Sequence, residues 1–119
     1  MNPDLAGDVR PGAADAQTAR EANDVLYQRY RDLLRDAMIA EGASRADAAF
    51  AAYHAAAAIA PGRVLPWLGV ARMAVAAGDD ATARSAYRAV LEIDPEDAEA
   101  RAGLARLRTS GRTTRVTPP

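Results

Sequence analysis

Trp67-Leu68-Gly69-Val70-Ala71, then Gly78, Ala83, Tyr87, Val90-Leu91 and Asp94-Pro95, form the stretch from which the fold is read. Large, small, turn-forming and helix-breaking residues follow in that order, as in two helices joined at a glycine turn and stopped by a proline. The same residue types stand thirty-four positions upstream: Leu33 for Trp67, Ala37 for Ala71, Ala40 for Ala74, Ala49 for Ala83, Tyr53 for Tyr87, Ile59 for Ile93 and Pro61 for Pro95. A fixed period of about 20–50 residues marks a row of supersecondary units, none of which buries its apolar face without a neighbour. Stacked units leave a concave surface on one side. The repeat therefore predicts a binding module and leaves the ligand open.

Outward from this stretch the chain divides into punctuated helical segments. Residues 1–17, with Pro3, Gly7, Pro11 and Gly12 among small and acidic residues, predict a disordered leader. Thr18 and Glu21 have the spacing of a capping box, so a first helix is expected over about 18–41, with Val25, Leu26, Tyr30, Leu33, Leu34, Ala37, Met38 and Ala40 at helical spacing and Gly42 as its stop. Ser44 with Asp47 signals the cap of a second helix over 48–60, ended by Pro61-Gly62. A third helix is expected to start near Leu65, with Pro66 in its first turn, where a proline forfeits no hydrogen bond, and to end at Gly78. Asp79-Asp80 caps a fourth helix, whose inner side would carry Ala83, Tyr87, Val90, Leu91 and Ile93. A fifth, over 96–109, would turn Leu104, Ala105 and Leu107 inward and act as a terminal cap; residues 110–119 read as a disordered tail.

The residues quoted for the second unit resemble the tetratricopeptide repeat, whose large residue, Leu, Gly or Ala, turn Gly, Ala, aromatic and Pro occur in this order. The first unit keeps Leu33, Ala37, Ala49, Tyr53, Ala56 and Pro61, and a partial third supplies Leu104 and Ala105. The resemblance implies an all-α, right-handed stack of about five helices in antiparallel pairs: repeats over about 30–63 and 64–97, a capping helix over 96–109, and one helical domain over 18–109. Alanines would sit where helix axes approach most closely, with Tyr53 and Tyr87 filling the hollows between adjacent hairpins.

In such arrays the concave surface comes from the first helix of each pair. Its candidates here are Arg31, Leu34, Arg35, Met38 and Glu41, then Leu65, Leu68, Gly69, Arg72 and Val75, then Glu99, Ala102, Gly103 and Arg106. An apolar groove edged with arginines suits a protein or peptide partner offering aliphatic side chains and carboxylates. The competing reading is that the amino-terminal helix covers these residues from inside. Gly69 and Gly103 share the period; either a neighbour approaches the backbone there or a surface position tolerates glycine. The carboxylate clamp associated with the family uses Lys, Asn and Arg, and this chain contains no Lys.

Other function classes lack residues. No Cys is present, the single histidine, His54, follows a packing tyrosine, and Asp79-Asp80 and Asp94-Pro95-Glu96-Asp97 sit at helix starts without calcium-loop spacing. No catalytic residue, metal ligand or cofactor site is expected, and the module is read as non-enzymatic. All 15 basic residues are Arg against 16 acids, and about a quarter of the chain is Ala, a usage that suggests a GC-rich bacterial genome. Near-neutral charge argues against a general nucleic-acid or membrane binder. No basic and apolar leader or membrane-length apolar run is visible, so a cytoplasmic setting is expected. Residues 1–28 hold two Arg and five acids, whereas residues 100–119 hold five Arg and none. That asymmetry suits head-to-tail association or an anionic partner surface. Two alternatives to an adaptor stand beside it: a structural subunit or homo-oligomer with its groove permanently filled, and weak nucleic-acid binding through the carboxy-terminal arginines.

Overall fold

The computed structural model describes the backbone of residues 13–115 and the side chains of residues 15–109. Among these, five α-helices follow one another without a strand: α1 Ala13–Gly42, α2 Ala46–Ile59, α3 Val64–Ala76, α4 Asp80–Ile93 and α5 Ala98–Arg115. Each packs on its neighbours in sequence, α1 on α2, α2 on α3, α3 on α4 and α4 on α5. The expected all-α stack of about five helices in pairs is the architecture found. Residues 1–12 and 116–119, the outer parts of the expected leader and tail, lie outside the described residues.

Two boundaries differ from expectation by more than two residues. α1 begins at Ala13 and runs through Thr18, since Ala13, Ala14 and Ala16 favour helix and Asp15 meets the dipole in the first turn. α5 continues past Thr109 to Arg115.

The core is made of small residues and two rings. Ala37, Ala49, Ala71 and Ala83 are fully buried, Ala40 and Ala74 nearly so, and Ala56 and Val90 occupy one register in successive units, both at zero exposure. Tyr53 and Tyr87, each 2% exposed, are the largest fully buried side chains. Alanine at these positions lets the helix axes come close.

Several residues expected inside lie outside. Val25 and Leu26 on α1 are 68% and 50% exposed. A 14-residue α2 is roughly 21 Å long and cannot cover the roughly 45 Å of a 30-residue α1. Every residue over 15–29 is exposed. Ala105 is exposed for a related reason: its counterpart Ala71 is buried within the α3–α4 pair, whereas the described α5 has no second helix beyond it. Ile93, at the last turn of α4, is also exposed.

The turns explain the register. At the end of α3 the Gly78 amide donates to the Val75 carbonyl (3.0 Å) and the Asp79 amide to that of Ala74 (2.9 Å), with Gly78 left-handed at φ 77°. These paired bonds are a Schellman closure. At the end of α1 the Ser44 amide donates to Glu41 (3.0 Å) and the Arg45 amide to Ala40 (2.8 Å), with Ser44 at φ 61°. Ser44, thirty-four residues before Gly78, therefore closes α1 in left-handed backbone. It does not cap α2: the residue there is Arg45, whose side chain makes no capping bond. Asp79 does cap α4, accepting from the Thr82 amide at 3.1 Å. Trp67 on α3 ties down the preceding turn, its indole N–H donating to the Pro61 carbonyl at 2.9 Å.

Candidate functional site

A single side chain shows that α1, α3 and α5 share one side of the stack. Arg72 on α3 donates through Nε and Nη2 to the two carboxylate oxygens of Glu41 on α1, at 3.0 and 3.1 Å, and through Nη1 to Glu99 on α5 at 3.2 Å. The Tyr53 hydroxyl, rising from α2, donates to Glu41 Oε1 at 2.6 Å, and Nη2 lies 3.4 Å from that hydroxyl. The guanidinium also lies over the Tyr53 ring, 5.8 Å from its centroid. Four helices thus meet at one ionic node.

The node sets its own charge states. The bond from Arg72 holds the Glu41 carboxyl below the ordinary glutamate range, and the same pairing raises the Arg72 pKa further. Burial, followed by the adjacent carboxylate, pushes the Tyr53 phenol up. At neutral pH this is a carboxylate, a guanidinium and a neutral phenol, with no group poised to transfer a proton.

The expected site residues fall into separate groups. Arg31, Leu34, Arg35 and Met38 do come together, and with Ile39 they line an open, largely apolar depression of about 430 Å³ along α1. Arg31 lies over the Tyr27 ring at 5.9 Å, and Arg35 is 3.6 Å from both Asp32 and Asp36. Leu65 and Val75, at opposite ends of α3, are 59% and 45% exposed. Arg106 on α5 is exposed. Leu68 is only 6% exposed and belongs to the core. Arg72, expected to await a partner's carboxylate, is held by Glu41 and Glu99. Residues 15–29 do not cover this face, being themselves exposed.

Gly69 is buried beneath a ring. A Cβ there would fall on the near edge of the Tyr53 ring, and one at Gly103 would fall on the far end of the Tyr87 ring. Of the two readings of the recurring glycines, close approach is the one found, and the approaching group is the tyrosine of the preceding hairpin. Each tyrosine precedes its glycine by sixteen residues, a spacing that recurs with the period of thirty-four and does not by itself mark a contact. Ile39 was missed although it lies four residues after Arg35, on the same helix face.

His54 is exposed and stacks on Phe50, with centroids 5.9 Å apart and ring planes at 16°. It lines a depression with Trp67, Val70, Thr82 and Ser85. Asp94 accepts from the Glu96 amide and Asp97 from that of Ala100, as turn and cap residues do. Among the described residues no cluster of His, Cys, Asp or Glu could hold a metal ion, and no helix is long and apolar enough to cross a membrane. Arg112 and Arg115, on which nucleic-acid contact would depend, have side chains outside the described residues.

Residues 65–107 match a family model described as Tetratricopeptide repeat. The match spans α3, α4 and the described beginning of α5, the part of the chain that carries the Gly78 turn, the Asp79 cap and the Tyr87–Gly103 contact. Among curated proteins none matches the chain.

Proposed function

We propose that this chain, a tetratricopeptide-repeat-like protein, works as a non-enzymatic interaction module or adaptor, binding an apolar and acidic peptide or helix along the α1–α3–α5 side in a cytoplasmic setting. The observation that carries this reading is the accessible apolar surface on helices already fixed by the core. Met38 is 58%, Leu65 59% and Val75 45% exposed, with Arg31, Arg35 and Arg106 nearby in sequence or on the adjoining helix. Exposed apolar side chains on rigid helices beside cations suit a partner that buries aliphatic groups and presents carboxylates. Met38→Asp and Leu65→Asp change accessible residues and should fold like the wild type. The expected result is loss of partners recovered by the full chain from its native cell, with retention by Arg88→Asp on the exposed side of α4. Unchanged recovery by both site variants would remove this reading.

A second reading, a subunit of a larger assembly or homo-oligomer, is favoured by one observation. Val25, Leu26 and Tyr27 are at least half exposed on a stretch of α1 against which no described helix packs.

A further inference from the structure

The ionic node has a second, incomplete copy thirty-four residues further on. Arg106 stands in the register of Arg72 and Tyr87 in that of Tyr53, while Val75 occupies the register of Glu41. In the first copy the guanidinium is satisfied by two carboxylates. In the second, Arg106 is exposed and makes no ion pair among the described residues, and residues 100–119 contain no Asp or Glu to supply one nearby. Among the described residues Tyr87 donates no side-chain hydrogen bond, yet no buried side-chain oxygen there lacks a partner, so its hydroxyl reaches the surface. The far end of its ring lies against Gly103, three residues before Arg106 and on the same helix face. Val75, in place of an acid, is 45% exposed.

We propose that Arg106, with the Tyr87 hydroxyl and the methyl groups of Val75, is a recognition point for an aspartate or glutamate side chain of an extended partner peptide crossing α3 and α5. The partner's carboxylate supplies at Arg106 what Glu41 supplies at Arg72: two oxygens for the guanidinium fork and an acceptor for the phenol. An isolated ion at an exposed arginine gains little, so the ligand is an acid flanked by apolar residues that cover Val75. This rests on the reading of the α1–α3–α5 side as an interaction surface and adds which chemical group is read, and where.

The two copies also prescribe the test. Val75→Glu restores the acid at the register of Glu41 and should occupy Arg106 from within; Arg106→Gln removes the cation. A displayed random-peptide library is selected on the immobilised full chain, and the enriched peptide is synthesised with its acid intact and as the Asn or Gln form. The expected result is a peptide bearing Asp or Glu beside aliphatic residues. Its affinity should fall about tenfold when the acid is neutralised, and by a similar factor in Arg106→Gln and in Val75→Glu, while Arg88→Gln leaves it unchanged. The neutralised peptide should bind wild type and Arg106→Gln alike. Both variants alter exposed residues, and thermal melts confirm that each folds. Peptides without an acid preference, or a preference that survives both variants, would overturn the carboxylate site and leave the interaction reading standing. Absence of any enriched peptide on the wild-type chain would overturn both.

Discussion

Glycine inside a helix ordinarily costs roughly 0.5–1 kcal/mol relative to alanine, and Gly69 reverses that sign. Its missing side chain is the space into which the Tyr53 ring fits, with Cγ and Cδ1 nearest to where a Cβ would stand. Those atoms are at the inner end of a rigid ring whose hydroxyl is tied to Glu41, so the ring has little freedom to retreat. Gly69→Ala should therefore destabilise the domain by about 1–3 kcal/mol, as overpacked cores do, read by urea denaturation with an unchanged m-value. Gly103→Ala should cost less, because the ring there meets it with its outer end and α5 packs mainly on α4. A stabilised Gly69→Ala variant would mean that the ring moves aside freely. The period of thirty-four made both glycines visible in the sequence, together with the buried alanines and tyrosines. Their partners were hidden because ring and glycine lie on different hairpins, and a single-helix pattern marks which faces are apolar without saying which face meets which. Leu68, one position before Gly69, was misplaced to the open face for that reason.

At the scale of elements, the five helices and their order were legible, since proline, glycine and aspartate punctuate every junction. The α1–α2 turn was misread because Gly42 stands two residues before the closing position and Ser44 one residue before the cap position. Packing fixes the closure at the position equivalent to Gly78, and Ser44 adopts left-handed backbone there, followed by Arg45 where the later turn has a capping aspartate. Left-handed backbone costs a non-glycine residue roughly 1–2 kcal/mol, and a missing N-cap about 1 kcal/mol. Arg45 also sets a positive charge at the positive end of α2. Copying the second turn into the first, Ser44→Gly with Arg45→Asp, should raise stability by about 1–2 kcal/mol after the added unfolded-state freedom of glycine is subtracted. Thermal melting should shift upward by several degrees, with each single variant giving part of the shift. An unchanged or lowered melting temperature would show that something other than the closure sets the stability of this junction.

Across the whole molecule, the repeat register also explains why α1 presents a face unlike that of the other first helices. Arg35 holds the register of Gly69 and Gly103 and is largely exposed, so the tyrosine of a hairpin of the same design cannot seat against α1 there. A partner that covered Val25, Leu26 and Tyr27 would meet α1 in another geometry. No described helix packs on the exposed half of α1, and isolated helices of this length are marginal in water. Amide exchange should consequently be graded. Backbone amides over 17–24 should exchange with opening free energies near zero, while those over 70–74, inside α3 between α2 and α4, should approach the global unfolding free energy. The gradient is measurable by hydrogen–deuterium exchange at two protein concentrations. At low micromolar concentration a lone chain must show it; protection over 17–24 that equals protection over 70–74 would exclude a solvent-exposed half-helix. Protection that appears only at high concentration would identify a second copy of the chain as the covering partner, because only self-association depends on concentration in a pure sample.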